Sequence, residues 1–564
     1  MRGGWYNPPV FKTLSPMSAH NLPSKSLLLF LLAALFLVWF GTLDYRSLVR
    51  PDEGRYAEIP REMAVSGDWT TPRLNDIKYF EKPALQYWAT AAAYNLFGEH
   101  HWTARLWSAL TGFAGLLLAW YTARRLWDER AALYSMLVLA SSLLYSLIAH
   151  INTLDMGVTF FLFLGLAGFL LAHRDGADDR ENRLWMHVVW ASLALSVLSK
   201  GLIGLVLPGA VLVLYTLIQR DFALWKRLHF LTGLPLFFLI AAPWFVAVSL
   251  ANPEFFHFFF IHEHFERFLT KVHRRYHPWY TFFPILALGI LPWLFTMFPA
   301  LGRAWRAEPG KFQPKRFLLI WSVFIFFFFS ISSSKLPSYI LPIFPALALL
   351  IGEYLTYPRA RTLFWQAVPI AALAGAGLLL SPYSVMFASE EVPVALYKGY
   401  AVWLAVAALV WFVGSLAALF LLRREKVTAG LLSLGISTMI AGQLALLGHD
   451  SLSPASSAVH LARQIQPYLK PGVPFYSIGT YEQTLPFYIK RTVILVDYQD
   501  EMAFGIQQEP DKWVPDYATF ESAWRKAPYA LAIMRPDKFA EIQAKGLPMR
   551  EIARDTRRVV VTTP

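Results

Sequence analysis

Apolar blocks of the length that a membrane-spanning helix needs recur through most of this chain. The first is LLLFLLAALFLVWFGTL. The full set lies at 27–43, 102–121, 131–149, 154–172, 184–198, 201–218, 229–250, 279–300, 317–331, 339–355, 363–380, 400–421 and 428–447. Because a helix needs about 20 apolar residues to cross about 30 Å of hydrocarbon, the pattern predicts a polytopic α-helical membrane protein with about 13 transmembrane helices. No small-residue cleavage site follows the first block, so we interpret it as a retained signal anchor.

The distribution of positive charge predicts the orientation in the membrane. The chain has 51 lysines and arginines against 38 aspartates and glutamates, a net charge of +13. Many of the basic residues crowd alternate loops, at Arg124, Arg125, Arg130, Arg220, Lys226, Arg227, 303–316, Arg359, Arg361, Arg423, Arg424 and Lys426. By the positive-inside rule these loops face the cytoplasm, which leaves the C-terminus outside. Since membrane topology accounts for the charge, we expect no nucleic-acid partner.

A change of composition follows the last apolar block. Residues 1–448 carry all of the blocks and are predicted to form the membrane domain. Residues 449–564 contain short strand-like runs, VPFYSIG, RTVILVDY and YALAIMR, separated by helix-like segments. This alternation is typical of an α/β fold, so we predict a soluble α/β domain on the external side of the membrane.

The first external loop, residues 44–101, is far longer than a simple connection. Its segment GRYAEIPREMAVSG places Tyr56, Ile59 and Met63 on one helical face. Its segment KPALQYWATAAAYNLFG has Pro83 at an expected first helical turn and a mostly apolar body. We predict that both segments are helices that lie in the membrane interface rather than crossing it.

Basic residues in the predicted external loops need an explanation, since such loops are usually poor in them. They are Arg50, Arg55, Lys78, Lys82, Lys200, Arg267, Lys271, Arg274, Arg275 and Lys335. Taken singly, each of these residues could simply extend its side chain to the phosphates of the lipid headgroups. As a group they favour a pocket for a phosphate-bearing substrate, because Lys200 and Lys335 lie in the tight turns SKG and SSSKLPS, where small residues allow close approach.

Carboxylates accompany these cations at the same face of the membrane. Asp52 follows the first span, and Asp155 opens an apolar helix in HINTLDMGVTF. Helix capping is the ordinary role of such residues. A carboxylate beside cations also stays ionised and can accept a proton or hold a polar substrate group, which makes Asp52 and Asp155 the candidate catalytic residues. Glu53 is either solvated or part of the same site.

A divalent metal such as zinc is a further possibility. Glu81 in YFEKP, with His262 and His264 in IHEHFERF, offers nitrogen and oxygen ligands. The two histidines are two residues apart, so a regular helix directs only one of them to a shared metal. Interfacial histidines also more often form hydrogen bonds. The sequence therefore requires no cofactor and leaves a metal open.

Several other chemistries are excluded by the sequence. The chain has no cysteine, which excludes disulfides and thiol chemistry. It has neither a P-loop nor a Gly-rich dinucleotide fingerprint, and it lacks the D-x-D triplet with which soluble nucleotide-sugar transferases hold a metal. An external site meets no nucleotide sugar, so an activated group has to arrive on a lipid carrier.

Several motifs resemble those of one enzyme family. They are an N-terminal span followed by RPDEGRYAEIPREMAVSGDW, then YFEKPALQYW, TLDM, SKG, NPEFFHFFFIHEHFERF and SSSKLPSYILPIFPALALL. Over essentially its whole length, the chain resembles the lipid A aminoarabinose transferases. These belong to the integral-membrane glycosyltransferases with the GT-C fold, which use lipid-phosphate donors and include the protein O-mannosyltransferases.

The resemblance implies roles for the candidate site residues. It implies that Asp52 is the essential acid of the first loop and that Asp155 is a second functional carboxylate. It also implies that the carrier phosphate and the sugar are bound by Arg55, Tyr56, Tyr79, Lys82, Lys200, Arg267 and Tyr339. Glu53 and Lys335 complete the predicted substrate-binding set.

The implied reaction is the transfer of 4-amino-4-deoxy-L-arabinose from undecaprenyl phosphate to phosphate groups of lipid A, by a monomer at the periplasmic face of the bacterial inner membrane. Such a change to lipopolysaccharide implies resistance to polymyxin and other cationic peptides. Displacement at the anomeric carbon predicts inversion, with cations stabilising the leaving phosphate. Two alternatives remain, namely a protein O-mannosyltransferase or other lipid-linked-sugar transferase, and a lipid or solute transporter. Transporters usually show related halves, which are not evident here.

Overall fold

The structure of the protein, a computed structural model, describes residues 22–266, 277–332 and 334–564, without the side chains of 262–266. Helices form nearly all of the described chain as far as residue 448. They are α1 (Lys25–Gly41), α2 (Asp52–Ser66), α3 (Leu85–Phe97), α4 (His101–Leu126), α5 (Glu129–Ser141), α6 (Leu143–Ile148), α7 (Leu154–His173), α8 (Asp179–Lys200), α9 (Ile203–Gln219), α10 (Phe230–Ala251), α11 (Phe282–Gly289), α12 (Leu294–Ala304), α13 (Pro314–Ile331), α14 (Phe344–Tyr354), α15 (Ala360–Leu380), α16 (Val394–Arg423) and α17 (Val427–Gly448). Short 3-10 segments lie at Phe222–Arg227, Trp279–Thr281, Pro337–Ile343 and Ser381–Phe387, and a π-helical segment lies at His257–Glu266.

Eight helices in the described ranges are long and apolar enough to cross a membrane, or nine crossings if the pair α11 and α12, bent by 110°, counts as one. The eight are His101–Leu126, Leu154–His173, Phe230–Ala251, Pro314–Ile331, Pro337–Tyr354, Ala360–Phe387, Val394–Arg423 and Val427–Ser456. Helices α1 and α9 are shorter apolar helices of 17 residues each. The predicted multi-span helical fold is confirmed, whereas the predicted count of about 13 spans is not.

Two of the predicted apolar blocks do not form straight helices. The block at 131–149 is divided at Ser142, whose extended backbone separates α5 from α6. The block at 279–300 bends between Gly289 and Leu294. Hydropathy identifies apolar segments but does not show where the backbone changes direction inside one, which is why the number of crossings could not be read from the sequence.

Residues 44–101, the predicted first external loop, form α2, a hairpin and α3. Helices form at both predicted segments. Helix α2 begins with Asp52 and Glu53, where carboxylates meet the partial positive charge of a helix N-terminus. Gly67, which has a φ of +74°, caps its C-terminal end. Strands β1 (Arg73–Leu74) and β2 (Ile77–Lys78) pair antiparallel between the two helices.

Helix α2 is covered on both faces. Tyr56, Ile59 and Met63 are buried, in agreement with the helical periodicity. Arg55 and Arg61 are also buried, at 9% and 5% exposure. The charged face therefore does not meet water as that of an amphipathic interfacial helix would, because the C-terminal domain packs against it.

The described residues after 448 form an α/β domain. Its strands are β3 (Phe475–Ile478), β4 (Ile494–Val496), β5 (Trp513–Val514), β6 (Leu531–Met534), β7 (Arg550–Arg554) and β8 (Val559–Thr562), and its helices are α18 (Ser453–Ser456), α19 (Val459–Ile465), α20 (Leu485–Ile489), α21 (Ala503–Gln508), α22 (Tyr517–Lys526) and α23 (Pro536–Ala544). Within this part of the chain the strands form one sheet in the order β5-β4-β3-β6-β8-β7. Strands β3 to β6 run parallel, while β8 is antiparallel to both β6 and β7. The three predicted strand-like runs are confirmed as β3, β4 and β6.

The segments that follow two of the parallel strands face the first external loop. The segment after β3 passes directly over α2, where a Cβ atom on Gly54 would lie 2.6 Å from the backbone carbon of Gln483. The segment after β4 brings Glu501 to Arg55. The carboxyl edge of a parallel sheet is where α/β domains usually bind ligands. Here that edge meets the membrane domain.

Candidate functional site

Arg55 lies at the centre of a group of charged and aromatic side chains at this junction. Its Nη1 atom is 3.6 Å from Oδ1 of Asp52, one turn earlier in α2. Its guanidinium group forms an ion pair with Glu501 of the C-terminal domain. Its Cζ atom lies 5.9 Å from the ring centroids of both Tyr56 and Tyr79. Four of the predicted site residues are thus brought together.

Glu81 and Tyr87 complete this group. Glu81 is close enough to act electrostatically on Tyr79 and Tyr87, and the ring centroids of Tyr56 and Tyr87 are 6.3 Å apart. Lys82 lies beside them and donates from Nζ to the carbonyl oxygen of Glu81 at 2.7 Å. We call the set the Arg55 cluster, defined as Asp52, Arg55, Tyr56, Tyr79, Glu81, Tyr87 and Glu501.

The Arg55 cluster combines a charged guanidinium group with neutral phenols. Burial would lower the pKa of Arg55, but neighbouring acidic groups, the carboxylates of Glu501 and Glu81 among them, raise it above its ordinary value, so the group stays charged. Burial raises the pKa of Tyr56 and Tyr79 well above the ordinary value, which keeps both hydroxyls protonated. Among the described residues, the buried hydroxyls of Tyr79 and Tyr87 have no hydrogen-bond partner. Unsatisfied buried groups are rare, and a ligand or water is a common explanation.

Lys200 and Asp155 form a second ion pair beside the Arg55 cluster. Lys200 ends α8 and Asp155 lies in the first turn of α7, so the packing of these two helices brings the side chains together. The Nζ atom of Lys200 is 4.9 Å from the ring centroid of Tyr339. Asp52 is close enough to act on Lys200 electrostatically. Both predicted catalytic carboxylates therefore have a predicted substrate-binding cation as a neighbour.

Glu53 belongs to a separate buried network. Its carboxylate accepts hydrogen bonds from Arg105 at 2.7 and 2.9 Å, and from the backbone N–H groups of Val49 and Asn152 at 3.0 and 3.1 Å. Arg46 lies 3.5 Å away. Burial would raise the pKa of Glu53, but Arg105 and Arg46 outweigh it and hold the pKa well below its ordinary range. Both carboxylate oxygens are thus engaged by the protein itself.

Lys335 also has protein partners of its own. It is 4% exposed, and its ammonium group donates to the backbone carbonyls of His277, at 3.1 Å, and of Ser332. Burial lowers the pKa of Lys335. No contact in the described part of the chain joins Lys335 to the Arg55 cluster. In this segment it is Tyr339, four residues later, that meets Lys200.

Three of the predicted residues lie outside the description. They are Arg267 and the side chains of His262 and His264. Their expected roles, in binding a phosphate and in a metal site with Glu81, stay predictions. Across the residues that the structure does describe, no group of three or more histidine, cysteine, aspartate or glutamate side chains is arranged to hold a metal ion.

Sequence reasoning did not identify Glu501, Gln483 or Tyr87 as neighbours of the site. Glu501 follows β4 and Gln483 follows β3, and Gln483 Nε2 donates to Glu501 Oε1 at 2.9 Å. Because ligand-binding residues of α/β domains follow the carboxyl ends of parallel strands, the run VILVDYQDE offered a signal for Glu501. Tyr87 offered none, since an aromatic residue in an apolar helix is usually a core residue.

Two family models match the chain. Residues 461–563 match the aminoarabinose transferase C-terminal domain, and residues 25–259 match the dolichyl-phosphate-mannose-protein mannosyltransferase family. The helical membrane domain, its clustered ion pairs and the α/β domain against which they lie place the chain in the class of polytopic membrane glycosyltransferases with the GT-C fold.

Relatives in sequence and structure narrow this class. The undecaprenyl phosphate-alpha-4-amino-4-deoxy-L-arabinose arabinosyl transferase 1 of Proteus mirabilis is 32% identical over 91% of this chain and 93% of that protein. The transferase of the same name from Erwinia tasmaniensis is 31% identical over 84% of this chain and 87% of that protein. The crystal structure of ArnT from Cupriavidus metallidurans bound to undecaprenyl phosphate matches this structure with a TM-score of 0.92, over 96% of this chain and 98% of that chain. The two sequences are 41% identical. The chain belongs to the family of undecaprenyl phosphate-aminoarabinose arabinosyl transferases.

Membership of this family tests the predictions of fold and activity that were made from the sequence. It confirms the resemblance drawn from the motifs, the GT-C fold and the prediction of a glycosyltransferase that uses a lipid-linked sugar. The alternative of a transporter finds no support in these matches.

Proposed function

We propose that this protein transfers 4-amino-4-deoxy-L-arabinose from undecaprenyl phosphate to phosphate groups of lipid A, at the periplasmic face of the bacterial inner membrane. The observation that carries the proposal is the match to ArnT bound to undecaprenyl phosphate, at a TM-score of 0.92 over 96% of the chain. The named relatives are transferases of the same sugar from the same carrier. The reaction gives lipid A a positive charge, and so weakens the attraction of cationic peptides such as polymyxin.

The cations of the site are proposed to bind the carrier phosphate. Transfer breaks the bond between the sugar's anomeric carbon and a phosphate oxygen, so negative charge grows on the leaving undecaprenyl phosphate. Lys82, Lys200 and Arg55, with Arg267, would stabilise that charge. The proximity of Lys200 to Tyr339 and of Arg55 to Tyr79 supports the idea, because a sugar that packs against these rings would hold its phosphate next to the cations.

Asp52 is proposed to act on the acceptor. A lipid A phosphate is already anionic and needs little proton removal, so Asp52 would orient it or take a proton from its monoanionic form. The side chain of Asp52 is 39% exposed, which leaves it accessible to a substrate. Asp155 is proposed to hold Lys200 in place through their ion pair. Direct displacement by the acceptor would invert the anomeric configuration of the sugar.

Two predicted substrate-binding residues receive a different role in this proposal. Glu53 is proposed to fix the start of α2, since Arg105 and two backbone N–H groups occupy its carboxylate. Lys335 is proposed to fix the segment that carries Tyr339, since two backbone carbonyls hold its ammonium group. A metal at Glu81, His262 and His264 stays a prediction, and no step of the proposal depends on it.

A reconstituted transfer assay tests this function. The purified protein is mixed in detergent or liposomes with undecaprenyl phosphate-linked aminoarabinose and lipid A, and the lipid product is analysed by mass spectrometry. The expected result is lipid A heavier by one aminopentose, and lipid A without its phosphates should gain nothing. Absence of any mass gain with folded protein and intact lipids would refute the assignment.

Protein O-mannosylation is the second candidate, because residues 25–259 match the mannosyltransferase model. The same preparation, given polyprenyl phosphate-linked mannose and a serine- or threonine-rich peptide, should yield no glycopeptide if the first proposal holds. The match of residues 461–563 to the aminoarabinose transferase C-terminal domain favours the first proposal.

A further inference from the structure

Asn152 joins three of the elements that carry the candidate site. It is fully buried and lies two residues before α7, the helix whose first turn holds Asp155. Its backbone N–H group donates to Oε1 of Glu53 in α2 at 3.1 Å. Its side-chain oxygen Oδ1 accepts a hydrogen bond from Nε2 of Gln86 in α3 at 2.9 Å. The first turns of α2 and α3 and the start of α7 are thus tied together at one residue.

Each of these elements presents a residue of the candidate site within three positions of its contact with Asn152. They are Asp52 of α2, Tyr87 of α3 and Asp155 of α7. Asp155 in turn forms the ion pair with Lys200. The distance between the carboxylate of Asp52 and this ion pair therefore depends on how the segment between α6 and α7 is held.

The two ends of that segment are held differently. At the α6 end, the ring nitrogens of His150 lie 2.7 and 2.9 Å from backbone carbonyl oxygens of α6 and α1. At the α7 end, Thr153 is the N-cap residue, but its buried hydroxyl has no hydrogen-bond partner in the described part of the chain. Its carbonyl accepts a bond of 3.3 Å from Ser108. The shorter side-chain bond at this end is that of Asn152 with Gln86.

The pair of amides is more polar than stability requires. Both side chains are at most 1% exposed, and Oε1 of Gln86 and Nδ2 of Asn152 have no partner among the described residues. Two apolar side chains of the same shape would avoid that cost, because replacing both partners of a buried hydrogen bond is nearly neutral or stabilising. A hydrogen bond fixes a distance and a direction, whereas apolar contact is non-directional. The pair therefore contributes geometry more than stability.

We propose that Gln86 and Asn152 form a positioning pair, which holds α7 and the Asp155–Lys200 ion pair at the distance from α2 that sugar transfer requires. The inference rests on the proposed function, in which Lys200 stabilises the leaving phosphate. Neither amide touches a reacting atom in this account. Because a displacement of about 1 Å in an active site can lower a rate by about 100-fold, the loss of one orienting hydrogen bond should be measurable in kcat.

A double substitution separates positioning from stability. Gln86→Met or Asn152→Leu alone leaves one buried amide unpaired, so each should lower the unfolding temperature. The double variant should recover the unfolding temperature of the wild type. Its kcat for lipid A modification should stay about 10-fold lower, with less than about a 2-fold change in the KM of the donor. A role in stability alone predicts instead that kcat recovers together with the unfolding temperature.

Coupling to Asp155 shows where the pair acts. In the Asp155→Asn background the ion pair with Lys200 is already weakened. The double substitution should then lower kcat by less than about 2-fold further, because both changes act through the same contact. Rates are normalised to folded protein, so this comparison also decides the question if the double variant is less stable than the wild type.

Thr90→Val is the matched control. Thr90 lies one turn after Gln86 on the same face of α3, is also fully buried, and has a hydroxyl without a hydrogen-bond partner among the described residues. The control should keep the kcat of the wild type. Wild-type kcat in the double variant, an additive loss in the Asp155→Asn background, or an equal loss in Thr90→Val would overturn the inference while the transfer itself stands. A wild type that transfers no aminoarabinose to lipid A would overturn the proposed function and the inference with it.

Discussion

Asp52 and Glu53 are adjacent in α2 and have opposite environments. Successive residues of a helix differ in direction by about 100°, so neighbours face different surroundings. Asp52 lies beside Arg55 and keeps 39% of its side chain exposed, whereas Glu53 is 2% exposed and is bound by Arg105. The carboxylate of Asp52 is accessible to a substrate, and the carboxylate of Glu53 stabilises the fold.

Substitution of these two residues should therefore affect different properties. Asp52→Asn should lower the transfer rate by at least about 100-fold, because the isosteric amide can neither take a proton nor carry the charge. Its thermal unfolding should match that of the wild type. Glu53→Gln should lower the free energy of unfolding by about 3–5 kcal/mol, because it leaves buried arginines without a counter-charge.

The two measurements are initial rates of lipid A modification and thermal or denaturant unfolding in detergent. Each variant serves as the control for the other. Full activity in Asp52→Asn, or unaltered stability in Glu53→Gln, would show that the assignment of the corresponding residue is mistaken.

The ionisation of Glu62 in α2 makes the stability of the protein depend on pH. Burial and the charge of Glu58 raise the pKa of Glu62 from 4.5 to about 8, while its carboxylate accepts hydrogen bonds from the backbone of Asn75 and Asp76 in the hairpin. Because its pKa is higher in the folded state, the folded protein binds more protons. The contribution of Glu62 to stability is then fully present below its unfolded pKa and is lost as the pH rises through about 8.

We therefore expect the unfolding temperature of the wild type to fall relative to that of Glu62→Gln as the pH rises from about 5 to about 9. The variant removes the ionisation and keeps a side chain of the same shape. Thermal unfolding of both proteins across this range measures the difference, and a difference that stays constant with pH would contradict the expectation.

At the scale of elements, α2 is in direct contact with the backbone of the C-terminal domain. Residues 54–67 could be predicted to form a helix, because Tyr56, Ile59 and Met63 recur with helical spacing. The packing of the C-terminal domain on the other face of α2 could not be predicted. Gln483 contacts this helix although it lies more than 400 residues later in the chain, and no local sequence pattern indicates such a contact. On that face the fold supplies ionic partners, Glu501 for Arg55 and Glu58 for Arg61.

Gly54→Ala should separate α2 from the C-terminal domain. The added Cβ atom would lie 2.6 Å from backbone atoms of Gln483 and 2.7 Å from the backbone nitrogen of Thr484, which cannot rotate away. Overpacking of this kind costs about 1–3 kcal/mol. We expect lower thermal stability together with lower transfer activity, since Glu501 moves with its domain.

Gly209→Ala is the matched control. It makes the same change inside helix α9, where the described atoms leave the space around the new Cβ empty. The control should unfold and react like the wild type. Unaltered stability and activity in Gly54→Ala would contradict the close packing of α2 on the C-terminal domain.

At the scale of the whole molecule, the division into a membrane domain and an α/β domain could be predicted from the sequence. The Arg55 cluster, which residues of both domains form, could be predicted only in part. Apolar blocks and strand-like runs report on local structure, and the strands β3, β4 and β6 formed as expected. The pairing of Arg55 with Glu501 depends on how two separately recognisable parts pack, which no periodicity encodes. The same holds for Arg105, whose place in an apolar helix gave no hint of its partner Glu53.

The orientation of the molecule can be tested directly, because the chain has no cysteine to remove. Asp537→Cys places a thiol on the C-terminal domain, where the native side chain is 73% exposed. Arg424→Cys places one in a loop predicted to be cytoplasmic. A membrane-impermeant maleimide should label position 537 in cells whose outer membrane alone is opened, and position 424 only after the inner membrane is permeabilised. The reverse pattern would contradict the periplasmic location of the site.

The central claim is that the carrier phosphate binds where α2, the end of α8 and the segment after β4 come together. A cryo-electron microscopy structure of the protein with undecaprenyl phosphate tests it most directly. The account predicts that the phosphate lies within hydrogen-bonding distance of Lys82, Lys200 or Arg55, with the polyprenyl chain along the apolar helices. A phosphate bound at the opposite end of the membrane domain, away from all three cations, would contradict it.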